Sequence, residues 1–223
     1  MVKRSLPVPV TIAAILFLGT TLVQAYEVRI NEVINKPTVI YKQAFSVDVT
    51  LGIWNSVLDN PCLMGQLWEI YKFQPHYKVT TDDADIHVSD PSGITGDIRQ
   101  IGQSDHARIF YGTGQFSHWA VPSFFTANGV VIFEYNTQRN GLSGVVNIFM
   151  RGDNGISRFI MRIFSGILTR RIDNRFTNNL KDMKKIIRDI AHNPHKVRDT
   201  LAGRLLNDFN SVFPVMETKP AED

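Results

Sequence analysis

Beyond Asp153-Asn154-Gly155 the apolar residues of this chain fall into steps of three and four and hold that spacing to Ile190. Ile156, Phe159, Ile160, Ile163, Phe164, Ile167, Leu168, Ile172, Phe176, Leu180, Met183, Ile186, Ile187 and Ile190 form one stripe. That is the pattern of a long amphipathic helix, which must bury the stripe against something. Gly166 weakens its middle by ~1 kcal/mol relative to alanine, so a bend or two abutting helices fits there. Asn193-Pro194 stops the pattern, and Val197 to Phe209 has room for one more short helix.

The partner for the stripe lies upstream. From Tyr77 to Arg151, turn signals recur at Asp90-Pro91-Ser92-Gly93, Gly102-Gln103-Ser104-Asp105, Ala127-Asn128-Gly129 and Arg139-Asn140-Gly141. Between them lie β-type segments at 84–89, 96–101, 107–116, 129–137 and 142–151. Asn140-Gly141 is the strongest hairpin signal, because a two-residue primed turn needs positive φ at both central positions. Residues 117–126 fit a short strand or a loop. An antiparallel meander followed by one long helix predicts an α+β domain with the helix packed on the sheet.

Ahead of the meander, Tyr41 to Val47 reads as a strand. Asp48 or Thr50 can cap a helix carrying Leu51, Trp54, Val57 and Leu58. After Asp59-Asn60-Pro61, residues 62–70 form a second short helix. Residues 26–40 are β-prone through Val28, Ile30, Val33 and Ile34. The start of the chain has Lys3 and Arg4, an apolar run from Val8 to Leu18, and small residues at Val23 and Ala25. This predicts a cleaved secretory signal over 1–25, a mature chain from Tyr26 and a secreted or periplasmic protein, the other reading being an uncleaved N-terminal anchor, for which the apolar run is short. The organisation expected is then an extension over 26–40, one domain over 41–192 and a C-terminal extension over 193–223.

Several chemistries are excluded. A hydrophobic share of 43% and a charged share of 20% exclude a wholly disordered chain. One cysteine, Cys62, excludes an intrachain disulfide framework. His76, His87, His106, His118, His192 and His195 make no zinc motif, and Asp82, Asp83 and Asp85 lack a calcium loop, so no metal or cofactor is expected. Gly112-Thr113-Gly114 lacks the lysine of a phosphate loop. No serine sits in a nucleophile elbow. A net charge of +3 gives no case for nucleic acid. The charge is unevenly spread, however, with 13 basic against 5 acidic residues over 151–204. Arg158, Arg162, Arg170, Arg171, Arg175, Lys181, Lys184, Lys185 and Arg188 largely avoid the apolar stripe. They read as a solvated face, or as one that meets anionic phospholipid headgroups.

Strand, two short helices, antiparallel strands and a closing helix is an order that resembles the helix-grip fold of the START-like superfamily. That group includes lipid-transfer domains, polyketide cyclases/dehydrases and plant carriers of hydrophobic ligands. The residues that carry the resemblance are Phe45-Ser46-Val47-Asp48, then Trp54 through Leu58-Asp59, then Trp68, with Asn179-Leu180-Lys181 in the closing helix. It covers roughly residues 41–192. The resemblance implies a curved antiparallel sheet wrapped around the long helix, and an apolar cavity between them that binds a lipid-like small molecule.

The lining expected for such a cavity is Phe110, Tyr111, Val131, Phe133, Tyr135, Phe149, Phe159, Ile163, Phe164 and Ile167, each of which is otherwise ordinary core. Two charged residues lie in the apolar strands. Glu134 shares a face with Val130 and Ile132, and Arg151 with Val145, Asn147 and Phe149. Turned inward, Glu134 needs a partner or a raised pKa; turned outward, it meets solvent. Ligand exchange is expected through movement of the long helix or of the loops at 90–95 and 117–128. Two other readings stand beside the carrier. One is a cyclase- or dehydratase-like enzyme using a polar pair, with Tyr111 and His118-Trp119 as candidates. The other is an interaction protein whose cavity is filled by its own side chains. The oligomeric state is left open.

Overall fold

The computed structural model describes residues 21–82, 85–91, 93–116, 125–163 and 165–214. Helix α1 (Thr21–Asn35) leads into strand β1 (Val39–Val47), and two short helices follow, α2 (Leu51–Asp59) and α3 (Pro61–Ile70). Six further strands come next: β2 (Lys78–Asp82), β3 (Asp85–Ser89), β4 (Ile94–Ser104), β5 (Ala107–Phe116), β6 (Thr126–Gln138) and β7 (Gly141–Gly152). The chain closes with α4 (Gly155–Ile163), α5 (Ser165–His192), α6 (Pro194–Arg198) and α7 (Gly203–Val212).

All strand pairs are antiparallel, in the order β1-β7-β6-β5-β4-β3-β2. The first strand thus returns to pair with the last, Val39 facing Met150 and Val47 facing Leu142. The curved sheet holds α5 against one face, which is the helix-grip arrangement. Alternation explains how each strand does this. On β1, Val39, Tyr41, Phe45 and Val47 are buried toward α5 while Ile40 between them is exposed.

Local chemistry sets the short helices. Thr50 caps α2, its hydroxyl oxygen accepting from the Ile53 N–H at 3.4 Å. Pro61 opens α3 at a position where no backbone donor is needed. Together they deliver Trp54, Val57, Leu63, Leu67 and Trp68 to a core shared with Phe45, Tyr135 and the Ile186, Ile187 and Ile190 stripe of α5. Phe45 stacks on Trp54 at 5.2 Å between centroids, and Tyr135 meets Trp54 edge-on at 5.9 Å. The segment after Asn193 belongs to the same core through Val197, Leu201, Phe209 and Phe213.

Three sequence expectations are corrected. Residues 26–35 are helical rather than extended, because Ile30, Val33 and Ile34 sit on one helix face. They pack on the convex side of the sheet against Tyr111, Val130 and Phe149. Ala127-Asn128-Gly129 is no turn and lies inside β6. The β6–β7 turn is Arg139-Asn140, flanked by the pair Gln138–Gly141, and Gly141 alone there takes positive φ, at +115°. That register differs by two residues from a primed Asn140-Gly141 turn, so every side chain keeps its face. In addition, β2 is a strand the sequence reading did not mark, and 197–209 divides into two helices with α6 starting at Pro194.

Candidate functional site

A cavity of about 840 Å³ lies between the concave face of β4–β7 and the helices α4 and α5. Ile94, Ile98, Phe110, Val131, Ile148 and Met150 face it from the sheet, and Met161 and Ile172 from the helices. This size and lining suit a small apolar molecule.

The hollow exists because side chains are missing from the sheet floor. Gly112 and Gly129 are register partners on β5 and β6, and Gly114 follows on the same face of β5. A Cβ on Gly129 meets its nearest heavy atoms at 3.7 and 3.9 Å, ordinary contact, so the glycine is not forced by crowding. On the same face, Gly144 is different. A Cβ there lies 2.3 Å from the Glu134 carbonyl oxygen and 2.7 Å from the Phe45 ring, because the strands and that ring pack tightly. The cavity ends where the aromatics begin. Phe110 meets Phe133 edge-on at 6.2 Å, and Phe133 leads into Phe45 and Trp54.

Tyrosines fix α5 over the cavity. Tyr41 Oη donates to Asp173 Oδ1 at 2.8 Å, and Tyr71 Oη donates to Asp189 Oδ2 at 2.8 Å. Burial first, and then the neighbouring carboxylate, pushes Tyr41 up to about 12 and raises Tyr71 as well. Between these clamps, Asn179 Nδ2 donates to Tyr77 Oη at 2.8 Å, and Arg175 pairs with Asp90. Gln74, Asn174, Asn178, Asn179 and Arg175 contribute polar groups to the wall, with Thr113, Gln115 and Asn128 on the strands. Among the described lining residues Arg175 is the sole ionisable one.

The structure divides the sequence candidates by sheet face. Phe110 and Val131 line the cavity. Phe133 and Tyr135 lie on the same face but within the aromatic core, where Tyr135 Oη donates to Asn55 Oδ1 at 2.6 Å. Tyr111 and Phe149 lie on the convex face under α1, and Tyr111 donates to Asn128 Oδ1 at 3.0 Å. Glu134 faces outward and accepts from Asn147 Nδ2 at 3.1 Å. Arg151, on the same face, donates to the Lys36 carbonyl at 2.7 Å. These four point away from the cavity because neighbours in a strand alternate faces. Phe159 and Ile163 are exposed on α4, at 62% and 59%. The side chains of Phe164 and Ile167 lie outside the described residues, as do His118, Trp119 and most of the 117–128 loop. Of the 90–95 segment, Ile94 and Thr95 are already strand β4.

Tyr111, facing α1, cannot serve a polar pair within the cavity. Burial pushes the Cys62 thiol up, against a hydrogen bond with Thr81 that lowers it, so the thiol is not an activated nucleophile. Among the described residues no cluster of metal-ligating side chains exists. The wall residues that sequence reasoning missed include Ile94, Ile98, Gly112, Gly114, Gly129, Ile148, Met150, Met161, Ile172, Arg175, Asn179, Gln74 and Asn178. The inward parity of Phe110 and Val131, carried across the strands by register, is the signal that finds the strand members.

No family model matches the chain, and no curated protein matches it. Solved structures do. A conserved protein from Geobacillus kaustophilus is 11% identical, with 69% of this chain and 98% of that chain covered at a TM-score of 0.48. Protein Ms6760 from Mycobacterium smegmatis is 9% identical, with 67% and 90% covered at 0.46. DynU16, of the dynemicin biosynthetic locus, is 16% identical at 0.34, with 60% of this chain and 47% of that one covered, so this chain spans about half its length. The fold assignment rests on the chain's own strand order and helix packing.

Proposed function

We propose that this protein is a START-like carrier that binds a lipid-like small molecule between the sheet and α5, outside the cytoplasm. The observation that carries this reading is the cavity of about 840 Å³ with its mainly apolar wall. Burying apolar ligand area there contributes roughly 25 cal/mol per Å² before the costs of binding. A cyclase-type reaction needs a group that exchanges protons. The one ionisable lining residue described, Arg175, is already engaged by Asp90, an arrangement that suits binding better than proton exchange. The extracytoplasmic setting is supported by the basic start, apolar run and small residues of the first 25 positions. No helix among the described residues is long and apolar enough to cross a membrane.

An anionic bilayer is the source of the ligand in this reading. Ile156, Phe159 and Ile163 are exposed at 57%, 62% and 59% on one side of α4. Arg158 and Arg162 stand beside them, and α4 has no acidic residue. Apolar side chains flanked by arginine suit the headgroup region of such a surface. Met161 of the same helix reaches the cavity wall, so the membrane-facing element also borders the ligand.

The test is extraction of the protein purified from its native host, followed by mass spectrometry. A stoichiometric lipid-like molecule is the expected result. Repeated absence of any bound molecule, together with no uptake of fluorescent lipid analogues, overturns the reading.

A further inference from the structure

The polar residues that line the cavity from α5 are incompletely hydrogen-bonded. Asn179 lines the wall from α5 and donates from Nδ2 to Tyr77. Its amide oxygen is buried and accepts no hydrogen bond. A buried acceptor left in that state is costly, and a ligand donor or a trapped water relieves the cost. Among the described lining residues the single charge is already matched. Arg175 lies one turn earlier on α5, and its guanidinium is held by Asp90, whose side chain is 3% exposed. Arg175 also hydrogen-bonds Tyr77. An anionic head brought here gives up its hydration and finds a cation already matched and a carbonyl that can only accept.

We infer that the occupant is an uncharged amphiphile whose apolar body lies against Phe110, Val131 and Met150 and whose terminal hydroxyl or amide N–H donates to Asn179 Oδ1. This rests on the carrier reading and narrows it to a ligand class, a neutral hydrogen-bond donor with a long apolar body. Fatty acids and unfunctionalised hydrocarbons fall outside that class.

The experiment is displacement of N-phenyl-1-naphthylamine from the full chain by three twelve-carbon competitors. Dodecan-1-ol can donate, dodecyl methyl ether can only accept, and dodecanoate is charged. The alcohol is expected to displace the probe at about tenfold lower concentration than the ether or the carboxylate, the scale of one buried hydrogen bond. In Asn179→Leu the alcohol's advantage over the ether is expected to vanish. The wild-type series stands alone should that variant fail to fold. Equal displacement by alcohol and ether in the wild type overturns the inference and assigns the oxygen to water. Preference for dodecanoate overturns it in favour of an anion at Arg175. Failure of the probe and of every competitor to bind overturns the carrier reading itself, and this inference with it.

Discussion

Replacing Gly129 by leucine is expected to fill the cavity without harming the fold. The first added atom meets nothing nearer than 3.7 Å. The rest of the side chain extends into space that is already lined by apolar groups. Its burial there is worth about 2 kcal/mol against exposure, which offsets the ordering cost, so stability should change by less than about 1 kcal/mol. Ligand binding should suffer. About four side-chain carbons take the place of about four ligand methylenes at about 0.8 kcal/mol each, a loss of about 3 kcal/mol, or about two orders of magnitude in Kd. Urea unfolding and titration of a fluorescent lipid analogue measure the two quantities on one preparation. Gly144→Ala is the contrast, since its Cβ overlaps the Glu134 carbonyl and the Phe45 ring. It should cost about 1–3 kcal/mol or more as overpacking. If Gly129→Leu destabilises like Gly144→Ala, or leaves analogue binding unchanged, the hollow is not where the ligand sits and the reasoning fails.

Three further outcomes are expected. Arg108 bonds Asp59 at 2.6 and 2.9 Å and Tyr135 Oη at 3.1 Å with its side chain 6% exposed. Arg108→Met should cost about 2 kcal/mol by urea unfolding, less than a fully buried broken pair because Asp59 reaches water; an unchanged midpoint contradicts this. Tyr41 is raised to about 12 by burial and Asp173, so its protonated form is favoured in the folded state. Its contribution to stability is full below the unfolded value of about 10 and is lost as pH climbs from there toward 12. Alkaline unfolding curves of Tyr41→Phe should lose part of the decline over that window, and an identical decline contradicts the assignment. Phe159→Asp with Ile163→Asp should abolish co-flotation with phosphatidylglycerol vesicles while leaving binding of the lipid analogue intact. Retained flotation removes α4 from the proposed membrane contact, and concentration-dependent dimers lost in the variant assign the face to self-association instead.

The layout of strands and long helix was legible because each element writes its own period into the sequence. Ile172, Phe176, Leu180, Met183 and Ile187 can be read as one stripe without knowing what covers it. β2 was not legible, since Val79 is the one residue of that edge strand that is even partly buried. α1 was misread because its β-branched residues suggest a strand, although Ile30, Val33 and Ile34 hold helical spacing. The site was less legible than the fold. Neighbours such as Phe110 and Tyr111 look alike as lining, yet one faces the cavity and the other α1. Gly129 followed Asn128 and so read as a turn, where its real part is to leave space. Arg175 and Asn179 read as a charged face and a family motif. Their meeting with Asp90 and Tyr77 depends on contacts far apart in sequence, which no local pattern records.

The pairing of β1 with β7 has a consequence for how the chain matures. A strand within the first fifty residues must wait for residues 141–152 before it gains its neighbour, and the closing helix comes later still. Contacts of such long sequence separation slow folding, because the intervening loop must close first. A ribosome can therefore release most of this polypeptide before the first strand finds its neighbour, and the sheet closes only once the chain is nearly complete.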